Sequence, residues 1–176
     1  MLTDPEKAAI ARTWRLVLPI AETAADLFYR RLFELDPSLR ALFPDDMSAQ
    51  KRKLLQALHF VVRGLDWPES AWAETIEEKD DVVLVVLALG RRHRQLYRVQ
   101  DHHYETVGLA LLWTLEQGLG EAFTTDVREA WKKAYRLIST LMKSARDAGE
   151  LELPALADLP AEYSLPSFGP EGSIPS

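Results

Sequence analysis

The feature that most limits the fold of this chain is a succession of helix start and stop signals through its first 148 residues. Thr3, Asp4, Pro5 and Glu6 have the form of a capping box with proline in the first turn. Ser48 is a further expected cap, and proline or glycine follows several of the later apolar periodic segments. The pattern predicts helices over residues 4–18, 19–35, 36–43, 49–65, 82–96, 101–118 and 125–148.

One segment competes with this all-helical interpretation. The run from Val82 to Leu89 is rich in β-branched residues, so propensity alone would favour a strand. A lone strand in a helical chain has nothing to pair with, and we therefore interpret the run as part of a buried helix. At eight residues, this longest apolar run is too short to span a bilayer. We expect an all-α fold, with several bundle and layered arrangements still open at this point.

The charges are divided unevenly along the chain. All 21 Lys and Arg residues precede residue 149, whereas residues 150–176 contain five acidic residues and five of the ten prolines. This division predicts one domain over residues 1–149 and an acidic Pro-rich tail over 150–176, extended or disordered. A nearly neutral body with an acidic tail argues against nucleic-acid and anionic-membrane partners.

Two absences narrow the chemistry. The chain has no cysteine, which excludes thiol catalysis, zinc–thiolate sites and iron–sulfur clusters. The first residues, MLTDPEK, lack the basic and apolar regions of a signal peptide, so we expect a cytoplasmic protein.

Four residues are candidates for a functional site, although each also has a structural interpretation. His93 shares an apolar helical stripe with Val86, Leu89 and Leu96, and therefore faces inward. Gln50 and Tyr29 lie on apolar stripes of their own helices, and Phe43 ends a short helix before Pro44. An inward histidine or tyrosine is more often a hydrogen-bonded core residue than a ligand. Taken one at a time, none of them identifies a function.

Taken in order, five segments of the chain resemble the globin family. They are FYRRLFELDPSLRALF (28–43), SAQKRKLLQAL (48–58), LGRRH (89–93), HHYETVGLALLWTLEQGLGEAFT (102–124) and VREAWKKAYRLI (127–138). The chain is similar to single-domain bacterial haemoglobins, to flavohaemoglobin globin domains and to neuroglobin-like globins. The resemblance implies a globin fold of seven to eight helices, packed three over three, with the Pro-rich C-terminal extension added.

The resemblance also implies a role for individual residues. His93 matches the histidine that ligates haem iron, and an apolar wall around a neutral imidazole suits that role. Phe43 matches the aromatic residue that packs flat on the haem, and Tyr29 and Gln50 match the polar residues of the distal side. The remaining expected haem contacts are Lys53, Leu54, Leu89, Arg92 and Tyr104, with Lys53 and Arg92 expected at the haem propionates.

The chain departs from the family pattern at several points. The connection between Gln50 and His93 is longer than in the relatives, and the excess lies in residues 66–81. Flavohaemoglobins have a glutamate late in the last helix, and this sequence has Ala148 at the matching position. Because alanine cannot hydrogen-bond toward the proximal histidine, any peroxidase-like effect on that ligand is weakened. The given residues contain no flavin- or nicotinamide-binding segment, so we expect any reductase to be a separate protein. Three other histidines are less suited to the iron. His59 lies more than two turns beyond Gln50, and His102 and His103 begin a helix beside Tyr104, where the family pattern also often has a polar residue.

We therefore expect haem b and reversible binding of O2, and also of NO and CO. High-affinity oxygen binding, as a carrier or as an NO dioxygenase with a separate reductase, is the first hypothesis. Whether the chain is an enzyme thus stays open. The alternative hypothesis is a haem-based gas or redox sensor with the tail as its output. A third hypothesis is a haem-free interaction protein with a globin fold. We expect a monomer or weak homodimer, with neither nucleic acid nor membrane as partner.

Overall fold

The computed structural model describes residues 2–65, 86, 90 and 99–144. Five α-helices lie in this part of the chain: α1 (Asp4–Val17), α2 (Ala21–Leu35), α3 (Ser48–Gly64), α4 (Asp101–Leu119) and α5 (Thr125–Ser144). Short 3-10 helices at Leu18–Ile20, Pro37–Leu42 and Gly120–Ala122 connect them. The described residues contain no strand, which confirms the all-α prediction.

The N-terminus of α1 is held by the predicted capping box. The Thr3 backbone N–H donates to the Glu6 carboxylate at 2.8 Å, and the Glu6 N–H donates to Thr3 Oγ1 at 3.4 Å. Glu6 also accepts a bond from Lys133 on α5 at 2.5 Å. The bond from Lys133 and the bond from Thr3 lower the pKa of Glu6 to about 2. One carboxylate therefore caps the first helix and ties it to the last.

The N-terminal cap of α3 differs from the prediction. Ser48 is the first residue of the helix and not its cap, and the preceding Met47 makes no side-chain capping bond. Asp46 satisfies a free N–H instead, because its Oδ1 accepts from the Ser48 N–H at 2.9 Å. This bond is an Asx turn that leads into the helix, whereas a Ser48 cap would have accepted an N–H two or three residues further on.

Two tryptophans join three helices at the centre of the core. Trp131 of α5 donates its indole N–H to Thr13 Oγ1 of α1 at 3.0 Å, and Thr13 donates in turn to the Ala9 carbonyl at 2.8 Å. Trp14 of α1 donates to Nδ1 of His59 in α3 at 3.1 Å. All four polar side chains are buried, so each bond satisfies a group that burial would otherwise leave unpaired.

The five helices enclose a cavity because their apolar faces do not fill the space between them. α2 packs against α4, α1 packs against α5, and α3 packs against both α1 and α2. Gly90, in helical conformation, comes so close to α5 that a Cβ atom there would lie 2.3 Å from the Met142 carbonyl oxygen. Among the described residues, no helix has both the length and the apolarity that a membrane crossing needs.

The rest of the predicted helix over 82–96, the connection 66–81 and the tail lie outside the described residues, and so does the predicted end of the last helix at Gly149.

Candidate functional site

The cavity has a volume of about 580 Å³ and is lined almost entirely by apolar side chains. This size lies within the range of pockets that enclose a cofactor or another small molecule. It receives side chains from α2, α3, α4 and α5. The walls include Phe28, Tyr29, Leu32, Phe43, Gln50, Leu54, Leu58, Val61, Val86, Tyr104, Val107, Leu111, Tyr135, Ile138 and Met142.

One wall of the cavity is the inward face of α3. Gln50, Leu54, Ala57, Leu58 and Val61 all line the cavity, at the spacing of one helical face. None of these residues is fully buried, although four of them are apolar. The partial exposure of apolar side chains is caused by the cavity itself, which leaves space in front of them. This helix face is therefore built to contact a large apolar molecule.

Tyr29 of α2 lies at the same end of the cavity as Gln50. The ring of Tyr29 is buried, and its hydroxyl donates to the backbone carbonyl of Gln50 at 3.4 Å. This length is near the upper limit for a hydrogen bond, so the bond is weak. The hydroxyl is thus positioned at the cavity wall, next to the backbone of Gln50.

Phe43 is positioned by an aromatic cluster and by one arginine. Its ring meets Tyr29 edge-on at 5.5 Å between centroids and meets Phe33 at 5.4 Å. Arg40 donates to the carbonyls of Phe43 and Pro44 at 3.0 and 3.1 Å, which holds the backbone where the short 3-10 helix ends. Phe43 therefore lines the cavity from a fixed backbone.

Two further tyrosines, from α4 and α5, line the cavity. Tyr104, in the first turn of α4, is buried, and its carbonyl accepts a bond of 2.5 Å from the hydroxyl of Tyr135 on α5. The ring of Tyr135 fits against Gly108, where a Cβ atom would lie 2.6 Å from Tyr135 Cε1. Burial, with a smaller effect of Tyr104, raises the pKa of Tyr135 above its ordinary value. Tyr135 thus stays protonated and fixes the turn of α4 that presents Tyr104.

Polar side chains lie at the edge of the cavity. Lys53 is exposed there, and His103 is half-buried. The Gln100 N–H donates to His103 Nδ1 at 3.0 Å. Burial, together with the charge of His102, lowers the pKa of His103, while Asp36 acts in the opposite direction. His103 is therefore neutral at pH 7.

Three of the predicted site residues, His93, Leu89 and Arg92, lie outside the described residues. The structure does describe two of their neighbours, Val86 and Gly90. Val86 is fully buried and lines the cavity. The six described site residues, which are Tyr29, Phe43, Gln50, Lys53, Leu54 and Tyr104, all line this one cavity.

His59, one of the competing histidines, has a structural position. It accepts the Trp14 indole bond and is not among the residues that line the described cavity. Burial, and to a smaller extent the charge of Arg63, lowers the pKa of His59, so the imidazole is neutral at pH 7. A neutral imidazole with an unprotonated Nδ1 is the form that accepts the indole N–H.

Several lining residues on α4 and α5 were not among the predicted site residues. Tyr135, Ile138 and Met142 on α5, and Val107 and Leu111 on α4, line the cavity. Their spacing of three and four residues along each helix is a visible signal of a shared face. That signal identifies an inward face, but it does not distinguish residues that line a cavity from residues that fill a core.

Comparison with curated proteins gives three informative relatives. The chain is 30% identical to a flavohemoprotein of Bacillus subtilis over 139 residues, which are 79% of this chain and 33% of that protein. It is 30% identical to a flavohemoprotein of Halalkalibacterium halodurans over 138 residues, which are 78% of this chain and 31% of that protein. It is 28% identical to a neuroglobin of Danio rerio over 150 residues, which are 80% of this chain and 90% of that protein.

The chain thus spans about a third of the length of the two flavohemoproteins and most of the neuroglobin. The Globin family profile matches residues 26–142, which extend from α2 to α5 and include every described residue of the predicted site. The chain therefore belongs to the globin family, and membership of that family implies haem-based binding of diatomic gases.

Proposed function

We propose that this chain binds O2 reversibly and with high affinity, and also NO and CO, at haem b held by His93. The observation that carries the proposal is the apolar cavity of about 580 Å³ with a tyrosine hydroxyl and a glutamine on one wall. We further propose that the protein is cytoplasmic and is a monomer or weak homodimer.

The residues present fit a haem group. Haem is a flat, largely apolar macrocycle with two carboxylates, and when bound it supplies the iron at which a diatomic gas is held. The apolar faces of α3, α4 and α5 match the macrocycle. In this proposal Phe43, Leu54, Leu89 and Tyr104 contact the ring, and Lys53 and Arg92 reach the carboxylates. His93 would ligate the iron.

Tyr29 and Gln50 give the cavity its preference among gases. Oxygen held beside them acquires negative charge, whereas carbon monoxide acquires little, so hydrogen-bond donors favour oxygen. The Tyr29 hydroxyl and the Gln50 residue both lie at the wall of this cavity. Each donor contributes on the order of 1–2 kcal/mol, and together they slow oxygen release by roughly 10- to 1000-fold.

Slow oxygen release suits scavenging or NO dioxygenation better than bulk delivery. In NO dioxygenation, NO and O2 combine with one electron to give nitrate, and we propose that a separate reductase supplies that electron. The chain contributes a cavity with mainly apolar walls, in which the two gases can be held together. The two flavohemoproteins match this chain only over about a third of their length, so their names alone do not assign that activity here.

Haem titration of the purified chain tests the proposal. We expect one haem to bind with a Soret band and a five-coordinate deoxy ferrous spectrum, since Gln50 is a poor iron ligand. His93→Ala is expected to lose stable haem, or to keep it only with added imidazole. His102→Ala, which changes an exposed histidine, is the matched control and should bind haem normally.

Two results would contradict the proposal. A normal haem spectrum in His93→Ala would show that another residue holds the iron. A protein that takes up no haem would leave a globin fold with a different role. Stopped-flow oxygen binding and NO consumption with a generic reductase then separate carrier from dioxygenase.

A further inference from the structure

A cluster of two histidines and one aspartate lies at the edge of the cavity. Asp36, His102 and His103 each offer one donor atom, and these three atoms all lie within 4.8 Å of one another. Asp36 follows the end of α2, and the histidines are in the first turn of α4. The packing of α2 against α4 brings together residues that are more than sixty positions apart in the chain.

We propose that Asp36, His102 and His103 bind one divalent transition-metal ion of the zinc class. Two imidazoles and a carboxylate are ligands that Zn²⁺ accepts, and three protein ligands leave one position for water or for an incoming group. Calcium and magnesium prefer oxygen ligands, and the two imidazoles disfavour them. Of the three residues, only His103 also lines the described cavity, so the ion would lie at its rim.

The carboxylate of this cluster is held in place before any ion arrives. Asp36 Oδ1 accepts bonds from the Ser38 N–H at 3.0 Å and from the Ser38 hydroxyl at 2.5 Å. A carboxylate has about four acceptor positions, so capacity for a cation remains. Hydrogen bonds that orient a ligating carboxylate are a usual property of metal sites.

The two histidines are also in suitable relative positions. Their ring centroids are 4.1 Å apart, with an angle of 66° between the planes. His102 is exposed and can turn toward an ion at little cost, whereas His103 is half-buried.

The charge states of the cluster agree with metal binding. Burial and the nearby His102 lower the pKa of His103, while Asp36 acts in the opposite direction. The hydrogen bond from the Ser38 hydroxyl lowers the pKa of Asp36, and the two histidines add a smaller effect. At neutral pH His103 is therefore uncharged and Asp36 is ionised, the forms in which both residues ligate a metal.

One existing bond opposes the ion. His103 Nδ1 accepts the Gln100 N–H at 3.0 Å, and in that tautomer the proton is on Nε2. An ion that binds Nε2 requires the other tautomer, and an ion that binds Nδ1 replaces the N–H directly. Either way, binding releases the cap of α4, so the site is expected to be weaker than a structural zinc site.

The test is isothermal titration of the tag-free, haem-loaded chain with zinc chloride. We expect saturable binding of one ion. His102→Ala and Asp36→Asn are each expected to weaken it at least about tenfold. Asparagine keeps an oxygen for Ser38, so Asp36→Asn removes the negative charge but preserves the turn.

Asp46→Asn is the matched control. Asp46 Oδ1 accepts the Ser48 N–H just as Asp36 Oδ1 accepts the Ser38 N–H, but Asp46 does not belong to the histidine cluster. This control should leave the affinity within about twofold. Zinc-edge X-ray absorption should show two imidazole ligands in the wild type and one in His102→Ala.

Three outcomes would overturn the proposal. Zinc binding that His102→Ala and Asp36→Asn leave unchanged would be adventitious. Absence of saturable binding would show that His103 keeps its bond from the Gln100 N–H and does not ligate zinc. Zinc that displaces haem, seen as loss of the Soret band, would place the ion in the cavity and not in this cluster.

Discussion

Tyr29 shows how a single hydroxyl can belong to the fold and to the site at once. Its ring completes the aromatic cluster with Phe33 and Phe43, while its hydroxyl bonds weakly to the Gln50 carbonyl. The ring therefore contributes to packing, and the hydroxyl lies at the wall of the cavity. Phenylalanine at position 29 would keep the packing of the ring and remove only the hydroxyl.

Changing Tyr29 to Phe should speed oxygen release about tenfold or more, which corresponds to about 1.4 kcal/mol, the size of one hydrogen bond. Carbon monoxide release should change by less than about threefold, because this gas carries little charge for a donor to stabilise. Flash photolysis and stopped-flow displacement measure both rates. Tyr135→Phe removes a hydroxyl that bonds to the Tyr104 carbonyl, and this control should not alter the ratio of the two rates. Equal effects of Tyr29→Phe on both gases would contradict the assigned role.

His59 makes the stability of the protein depend on pH. Burial lowers its pKa below the unfolded value of 6.5, so the unfolded chain takes up a proton at a higher pH than the folded chain. The contribution of the neutral histidine is complete above pH 6.5 and is lost as the pH falls toward the lower folded pKa.

His59→Asn should remove this dependence while an amide oxygen replaces Nδ1 as acceptor for Trp14. Urea unfolding between pH 7.5 and pH 5 is the measurement, with the free energy of unfolding plotted against pH. We expect a shallower fall in the variant than in the wild type. Some fall should remain, because the pKa of His103 is lowered too. Identical slopes would show that the protonation of His59 is not linked to folding.

At the scale of elements, the cavity depends on how closely the helices approach α5. Gly90 and Gly108 both permit close contact: the first meets the Met142 backbone and the second meets the Tyr135 ring. A backbone atom cannot move aside without moving its helix, so the Gly90 contact is the more restrictive one.

Gly90→Ala is expected to destabilise the fold by about 1–3 kcal/mol, because the added methyl group would overlap the Met142 carbonyl. Gly118→Ala in α4 is the matched control. Its Cβ would meet only the flexible end of Ile20 at 3.2 Å, and alanine favours helix over glycine by about 1 kcal/mol. This control should be neutral or stabilising in chemical unfolding. A Gly90→Ala protein as stable as the wild type would mean that the two helices can separate freely.

At the scale of the whole molecule, the ion pairs lie at the surface of the described residues and the apolar side chains form the core. Within the described residues, Glu6 with Lys133 and Glu116 with Arg128 connect different helices by ion pairs. Exposed pairs of this kind contribute little individually. The core and the cavity instead depend on the apolar faces of the described residues. None of the residues that match the globin site lies in the acidic tail over 150–176.

Deleting residues 152–176 should therefore leave oxygen association and dissociation within about threefold of the full chain, a difference of roughly 0.6 kcal/mol. Stopped-flow kinetics on the two haem-loaded proteins provide the test, and circular dichroism confirms equal helicity. A larger change would indicate that the tail contacts the entrance of the cavity. It would favour the alternative of a gas or redox sensor with the tail as output.

The sequence by itself determined the helical elements, because the signals for them are local. The capping box at Thr3 and Glu6, and the apolar stripe through Gln50, Leu54 and Val61, act within one or two helical turns and can be read directly. The difference at Ser48 is local too: Ser48 is the first residue of α3 and not its cap, and the Asp46 carboxylate accepts its N–H.

Only the tertiary structure decided which distant residues meet. His59 bonds to Trp14, Tyr135 bonds to Tyr104, and Asp36 lies beside His102, and nothing in the spacing of these residues indicates the contact. Such pairs depend on the angle and depth at which two helices cross, and many side chains along both helices set that geometry together. A stripe in the sequence thus identifies an inward face, while packing alone decides whether that face closes a core or borders a cavity.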